Sequence, residues 1–222
     1  MRYGLVRRAV EALRQRDTAL EQFGALQHRY QLNPPLSEPE VMSFEERHGI
    51  RLPEGYRDFV LNVGDGGAGP EYGVFKLGRM DGLMGEETVW KEGEFVGRLS
   101  LCWPHREAWN LPKEMLQLPP FHDLSVDAEE AFYDDVDRKY WDAALVSGAF
   151  PICHHGCALR DWLIVTGPEA GQVWHDARVD HNGLRPYESV DGRRLTFEEW
   201  YLDWLKATLR KFGIEEPGDA DR

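Results

Sequence analysis

The stretch of residues 159–178 constrains the fold more than any other part of the sequence. Its first part, 159–165, contains an apolar run of aromatic and β-branched residues, which predicts a strand buried in the middle of a sheet. Residues 167–171 have the length and composition of a hairpin turn. Residues 172–179 then alternate between two faces, as a second strand does. We therefore predict a central β-hairpin, and no catalytic motif lies on it.

The composition indicates a folded chain with an acidic surface. Hydrophobic residues make up 42% of the 222 positions and include eight tryptophans, which is ample for a core. A formal net charge of −13 disfavours nucleic acid and anionic membranes and favours cationic partners. Three scattered cysteines, the absence of an apolar leader and the absence of a membrane-length run predict a soluble, cytoplasmic protein.

Residues 1–35 are predicted to be an N-terminal amphipathic helical extension. Apolar residues recur at roughly helical spacing through residues 3–30, with a break expected near Gly24. Six arginines oppose three acidic residues here, so this segment carries +3 and the remaining chain carries −16. Because the arginines are spread along the helix, we interpret them as a solvated face rather than an RNA-binding surface.

Two further helical regions have clear start signals. Ser37 and Glu40 form a capping box before a helix that Gly49 ends, and Pro53 precedes the next helix. Thr196 and Glu199 form a second capping box before an aromatic-rich helix that runs to residue 212. The glycine-rich segment 64–69 follows a helix and has no GK[ST] ending, so it indicates a helix end and turn rather than a phosphate loop.

Several motifs follow one another along the chain: Phe44, the segment Gly49-Ile50-x-Leu52-Pro53-x-x-Tyr56-x-x-Phe59, Asn62 and the Gly64–Gly67 stop, the 159–165 strand, the turn, Val173-Trp174 and the Thr196-Phe197-x-x-Trp200 helix. Their order resembles the SUKH superfamily, the group of the fungal Smi/Knr cell-wall regulators and many bacterial immunity proteins. The resemblance covers about residues 36–212. Residues 79–150 do not align with the family pattern.

We therefore predict an α+β fold in which helices flank a mainly antiparallel central sheet. The SUKH-like domain spans residues 36–212, with an acidic insert at about 79–150, and residues 213–222 are predicted to be a disordered tail. Within the domain, residues 74–77 and 95–103 are predicted to be strands, and residues 81–94 a loop. Residues 123–142 are predicted to form one or two helices.

The acidic segment 123–142 is the most pronounced charge feature of the sequence. Eight acidic residues oppose Arg138 and Lys139, a local net charge of −6. One interpretation is a solvated surface insert, and the other is a docking surface for a basic protein. On the second interpretation the contact residues are Glu129, Glu130, Asp134, Asp135 and Asp137.

The segment Cys153-His154-His155-Gly156-Cys157 is the one cluster of soft metal ligands. His175 and His181 are the distant residues that would have to complete a site, but their spacing matches no zinc motif. We favour a buried turn, and we predict no metal and no cofactor. His175 shares a face with Val173 and Ala177, which favours a packed, hydrogen-bonded core histidine over an acid–base residue.

The SUKH resemblance implies a non-enzymatic protein-binding module, and specifically a bacterial immunity protein that neutralises a toxin. The acidic charge of the chain favours a toxin that is basic and acts on nucleic acid. The partner would be the cognate toxin or another basic protein, without nucleic acid or membrane. The alternative is a regulatory scaffold that binds cellular proteins. A third hypothesis is a metal-dependent enzyme that uses Cys153, His154, Cys157 and His175.

Overall fold

The computed structural model describes residues 3–82, 86–116 and 126–216, and within these ranges the chain is α+β, as predicted. The helices are α1 (Tyr3–Arg16), α2 (Ala25–His28), α3 (Glu38–His48), α4 (Glu54–Asn62), α5 (Lys113–Leu116), α6 (Val126–Tyr140) and α7 (Phe197–Lys211). The strands are β1 (Arg79–Asp81), β2 (Glu87–Val89), β3 (Ala149–Gly156), β4 (Leu159–Ile164), β5 (Val173–Asp176) and β6 (Leu184–Pro186).

The main sheet has the order β3-β4-β5-β6, and all of its neighbouring strands are antiparallel. The predicted hairpin is confirmed, because β4 and β5 are the two middle strands and pair Trp162 with Trp174 and Leu163 with Val173. All four of these side chains are fully buried. The second strand is shorter than predicted, because the chain leaves the sheet after Asp176 and forms a 3-10 turn at Arg178–Asp180.

The two faces of the main sheet are covered by different parts of the chain. On one face Phe150 of β3 contacts Tyr56 of α4, with ring centroids 5.6 Å apart, and Tyr56 contacts Phe197 of α7. On the other face Trp162 packs against Phe95 at 5.5 Å, in the segment between β2 and α5. The sheet therefore has α4 and α7 on one face and part of the predicted insert on the other.

The helix boundaries follow the capping signals of the sequence. The backbone N–H of Ser37 donates to Glu40 at 2.7 Å, and the backbone N–H of Thr196 donates to Glu199 at 2.9 Å. Gly49 ends α3 at a φ of 63°, a conformation that glycine adopts without strain. Both capping boxes and the αL end of α3 are confirmed.

The N-terminal helix is shorter than predicted, since α1 ends at Arg16 rather than continuing to a break near Gly24. The cause is Asp17, a buried carboxylate that accepts the backbone N–H groups of Glu21 and Gln22 at 2.7 and 3.1 Å. The hydroxyl of Tyr30 donates to the same carboxylate at 2.7 Å. These bonds fold the chain back, and the apolar face of α1 packs against α7.

Three predictions within residues 74–103 are wrong. Residues 95–103 are irregular rather than a strand, because their hydrogen bonds go to the chain after β4: Trp103 N–H donates to the Thr166 carbonyl, and the Thr166 hydroxyl donates to the Leu99 carbonyl. Val74 forms only isolated bridges, to Gly67 and Cys153. The predicted loop at 81–94 instead contains β2, which pairs with β1 as a two-stranded antiparallel sheet.

The glycine-rich segment after α4 is a turn, as predicted. The backbone groups of Gly67 and Val74 bond each other in both directions at 2.8 Å. Gly67 has a φ of 104°, and a Cβ there would lie 2.3 Å from the carbonyl oxygen of Gln31. Glycine is required here because the chain passes close to the N-terminal segment.

Candidate functional site

Helix α6 carries the residues that the sequence singles out, and it is anchored near its C-terminal end. Val136 and Tyr140 are buried, at 5% and 1% exposure, and the Tyr140 ring lies 5.8 Å from that of Trp109. The Arg178 guanidinium donates to the Tyr140 carbonyl at 2.8 Å and to the Asp176 carboxylate at 2.7 and 2.9 Å. Because Asp176 belongs to β5, this buried ion pair ties α6 to the main sheet.

The exposed side of α6 is acidic. Asp127, Glu130, Asp134 and Asp137 are exposed and recur at intervals of three and four residues, so they share one face of the helix. We call these four residues the acidic stripe. None of them forms an ion pair within the part of the chain that the structure describes. The acidic stripe is therefore a row of unneutralised carboxylates in solvent.

Two of the five predicted contact residues lie outside the acidic stripe. Glu129 is half-buried, toward the side of α6 that packs on the protein. Asp135 accepts hydrogen bonds from Lys139 and Arg138, and the Lys139 bond lowers the pKa of Asp135. The structure adds Asp127, which the helical spacing of 127, 130, 134 and 137 would have identified in the sequence.

An exposed aromatic side chain flanks the acidic stripe. Tyr133 is 45% exposed and lies three residues after Glu130 and four before Asp137, so the three side chains are neighbours on the helix surface. Tyrosine is enriched among the residues that contribute most to protein–protein binding. The stripe thus combines charge with an aromatic group that a partner can cover.

The four metal ligands of the third hypothesis do not all come together. His154 stacks between Tyr72 and Phe75, at 4.8 and 5.4 Å between ring centroids. Cys157 is exposed, in a turn where its φ is 49°. Cys153 is buried and instead lies beside His155 and Asp161, a carboxylate that the sequence did not single out. That residue was missed because it is identified only by strand pairing.

The interpretation of His175 as a core histidine agrees with its position. The side chain is 8% exposed, and its Nδ1 lies 3.0 Å from Asp161 Oδ1. The Tyr187 hydroxyl donates to the same carboxylate at 3.1 Å. Asp161 of β4 is fully buried. Its carboxylate is therefore contacted inside the protein by β5, through His175, and by the chain after β6, through Tyr187.

A cavity of about 210 Å³ lies beside this region and is lined mainly by polar groups, among them His28, Tyr72, Asp81 and His154. Burial lowers the pKa of His28 to about 4 and also lowers the pKa of His154. The described residues that line the cavity include no serine, threonine, cysteine or lysine, so they offer no such nucleophile beside these histidines.

Comparison with known proteins gives one family. The family model described as SMI1 / KNR4 family (SUKH-1) matches residues 35–203, which is more than half of the 222 residues. No curated protein and no solved structure matches the chain. Among the described residues, no helix has the length and apolar composition that crossing a membrane requires.

Proposed function

Because the chain belongs to the SMI1/KNR4 (SUKH-1) family, we propose that it is a non-enzymatic protein-binding module and, more specifically, a bacterial immunity protein. Its partner on this proposal is a basic toxin that acts on nucleic acid in the cytoplasm. The family includes both immunity proteins and Smi1/Knr4 regulators. Membership therefore supports a binding role, and the choice between the two classes has to rest on the surface.

The observation that carries the proposal is the acidic stripe. Its carboxylates are exposed and unpaired among the described residues, on a helix that the Arg178 contact holds in place. A toxin that binds phosphate backbones presents a cationic surface, so a protein of net charge −13 attracts it over a long range. An inhibitor docked on that surface blocks substrate access without chemistry of its own.

The acidic stripe also suits binding because unpaired carboxylates are not needed by the fold. Asp135 bonds Lys139, and Glu129 is half-buried. Glu130, Asp134 and Asp137 have no such partner among the described residues. We propose that these three residues, with Asp127, make the ion pairs to the toxin and that Tyr133 packs in the same interface.

The test uses the gene neighbourhood. The protein encoded immediately upstream is expressed in a bacterial host alone, and then together with this protein. We expect the upstream protein to stop growth and this protein to restore it. An upstream gene that is not toxic, or a toxin that this protein does not relieve, would contradict the immunity proposal and favour the regulatory class.

The role of the acidic stripe is tested with matched variants. One carries Glu130→Gln, Asp134→Asn and Asp137→Asn, and a control removes the same three charges from exposed residues elsewhere, namely Glu46, Glu188 and Asp203. We expect the first variant to lose protection and the control to keep it. Equal protection by both variants would place the toxin on another surface.

A further inference from the structure

One row of the main sheet brings together three residues that can bind a metal ion. Strand pairing places Cys153 of β3 opposite Asp161 of β4, and Asp161 opposite His175 of β5. Directly paired residues of antiparallel strands point to the same face, so the three side chains are adjacent. His155 lies two residues after Cys153 on β3. The register of β3 against β4 shifts before Cys153 and again after His154, and these irregularities redirect the strand.

The ligand atoms of Cys153, His155 and Asp161 all lie within 4.8 Å of one another. Around a tetrahedral zinc ion with bonds of about 2.0–2.3 Å, ligand atoms are separated by roughly 3.3–3.8 Å. Small side-chain rotations therefore bring the three groups to bonding distance. A thiolate, an imidazole and a carboxylate are also the three ligand types that zinc uses in proteins.

Burial and hydrogen bonding make this cluster unusual. Asp161 has 0% exposure and Cys153 has 0% exposure, so any charge that they carry must be compensated locally. His155 Nε2 is buried and lies 2.9 Å from Asp161 Oδ1, where it forms an ion pair when the ring is protonated, although the two groups are not aligned as a regular hydrogen bond. Where that proton is absent, a metal cation shared by the ring nitrogen and the carboxylate would satisfy both groups.

We propose that Cys153 Sγ, His155 Nε2 and the Asp161 carboxylate together bind one zinc ion. Binding removes the proton from the Cys153 thiol and releases it to solvent, and the resulting thiolate and the Asp161 carboxylate balance the two positive charges of the ion. His155 binds as a neutral ring, so a proton that its ring shares with Asp161 is released to solvent as well. The site is separate from the acidic stripe, and neither proposal depends on the other.

Neighbouring residues are placed to orient these ligands. His175 Nδ1 and the Tyr187 hydroxyl lie 3.0 and 3.1 Å from Asp161 Oδ1 and fix the position of the carboxylate. Glu71 Oε2 lies 3.6 Å from His155 Nδ1, the ring nitrogen that does not face the site. Histidines that bind zinc commonly have a carboxylate at their second nitrogen, which sets the tautomer and raises the basicity of the ligand.

The experiment uses the full-length, tag-free protein, stripped of metal and titrated with Co²⁺ and then Zn²⁺. Bound Co²⁺ reports a cysteine ligand by a thiolate-to-metal absorption band in the near ultraviolet. We expect one equivalent of Co²⁺ to produce this band, one equivalent of Zn²⁺ to abolish it, and the thermal midpoint of unfolding to rise with Zn²⁺. Cys153→Ser should remove the band, whereas Cys157→Ser, four residues along the chain, should keep it.

Circular dichroism checks that both variants are folded. If Cys153→Ser is unfolded, His155→Gln serves instead and should weaken Zn²⁺ binding at least tenfold, a loss typical of a removed ligand or supporting group. Absence of the band in the unaltered protein overturns the proposal. A band that persists in folded Cys153→Ser, or one that only Cys157→Ser removes, overturns it equally.

Discussion

Helices α1 and α6 carry opposite charge, and the structure uses that charge differently. On α1 every arginine donates within the chain: Arg7 to the Val63 carbonyl at 2.7 Å, Arg8 to Gly4, Arg14 to Glu11, and Arg16 to the Phe212 carbonyl. On α6 the acidic stripe has no such partner among the described residues. The arginines of α1 are exposed, yet each has a partner, and Arg7 and Arg16 reach other parts of the chain, whereas the acidic stripe is left for a second molecule.

The two helices also differ in how they are buried. Val6, Ala9, Val10 and Leu13 of α1 are at most 2% exposed and belong to the main hydrophobic core. On α6, Val136 and Tyr140 are buried but lie outside that core cluster. We infer that changes in α1 act on stability, whereas changes on the acidic stripe act on binding.

The largest effect is expected from Leu13→Ala in α1. Leu13 has 0% exposure, so the substitution leaves a cavity and should lower the free energy of unfolding by about 2–5 kcal/mol. Urea denaturation measures the loss. Leu26→Ala is the control, because Leu26 is 74% exposed and its loss should change stability little. Equal losses of unfolding free energy in the two variants would contradict the assignment of Leu13 to the core and Leu26 to the surface.

The second effect is a pH dependence that arises in the N-terminal segment. Burial lowers the pKa of His28 from 6.5 to about 4, although the Asp17 carboxylate opposes this shift. The unfolded chain therefore binds a proton at higher pH than the folded chain does. The contribution of His28 to the free energy of unfolding is fully present above pH 6.5 and is lost as the pH falls toward 4. The expected loss is about 3 kcal/mol.

His28→Gln, which cannot titrate, should flatten this part of the stability profile. Urea denaturation at pH 7, 5.5 and 4.5 measures the difference between the two proteins. The triple variant of the acidic stripe provides the comparison, because its altered residues are exposed and should leave the slope between pH 7 and 5.5 unchanged. A His28→Gln profile as steep as that of the unaltered protein would assign the pH dependence to other groups.

The third effect concerns association with the proposed toxin partner. Neutralising Glu130, Asp134 and Asp137 should slow association about tenfold at low salt, since unpaired charges steer the encounter. Raising the ionic strength to a physiological value should slow the unaltered protein and bring the two rates closer together. Stopped-flow or surface-based kinetics measures both rates. An on-rate that is indifferent to salt would remove the electrostatic part of the proposal.

The smallest effect is expected at Asp135, which the sequence grouped with the contact residues. Its bonds to Lys139 and Arg138 are exposed, so Asp135→Asn should leave the denaturation midpoint unchanged within error. It should also slow toxin association less than Asp134→Asn does, because Asp135 is already paired. The reverse order of the two association rates would show that the partner displaces Lys139.

The sequence was most informative where local chemistry determines the structure. Each capping box, at Ser37 and at Thr196, depends on two residues that are three positions apart. The end of α3 depends on the backbone conformation of one glycine, Gly49. All three features were predicted. The β4–β5 hairpin was predicted for the same reason. Its alternation and its turn lie in one continuous stretch of chain.

The errors arose where distant contacts determine the structure. The end of α1 depends on Asp17 meeting Tyr30, and residues 95–103 bond to Thr166 rather than to a neighbouring strand. The cluster around Asp161 needs the register of three strands, which no spacing in the sequence reveals. For the acidic stripe, the charge was visible in the sequence. Burial and pairing on the folded helix were needed to separate Asp135 and Glu129 from the rest.

The buried contact between Arg178 and Tyr140 has a consequence for affinity. A flexible acidic segment would lose conformational entropy on binding. That entropy loss would offset part of the favourable free energy of its contacts. The C-terminal end of α6 is already fixed to Asp176 of the central sheet through a guanidinium that is 2% exposed. The acidic stripe is therefore preorganised, so a partner that docks there meets carboxylates whose mutual spacing is set before the encounter.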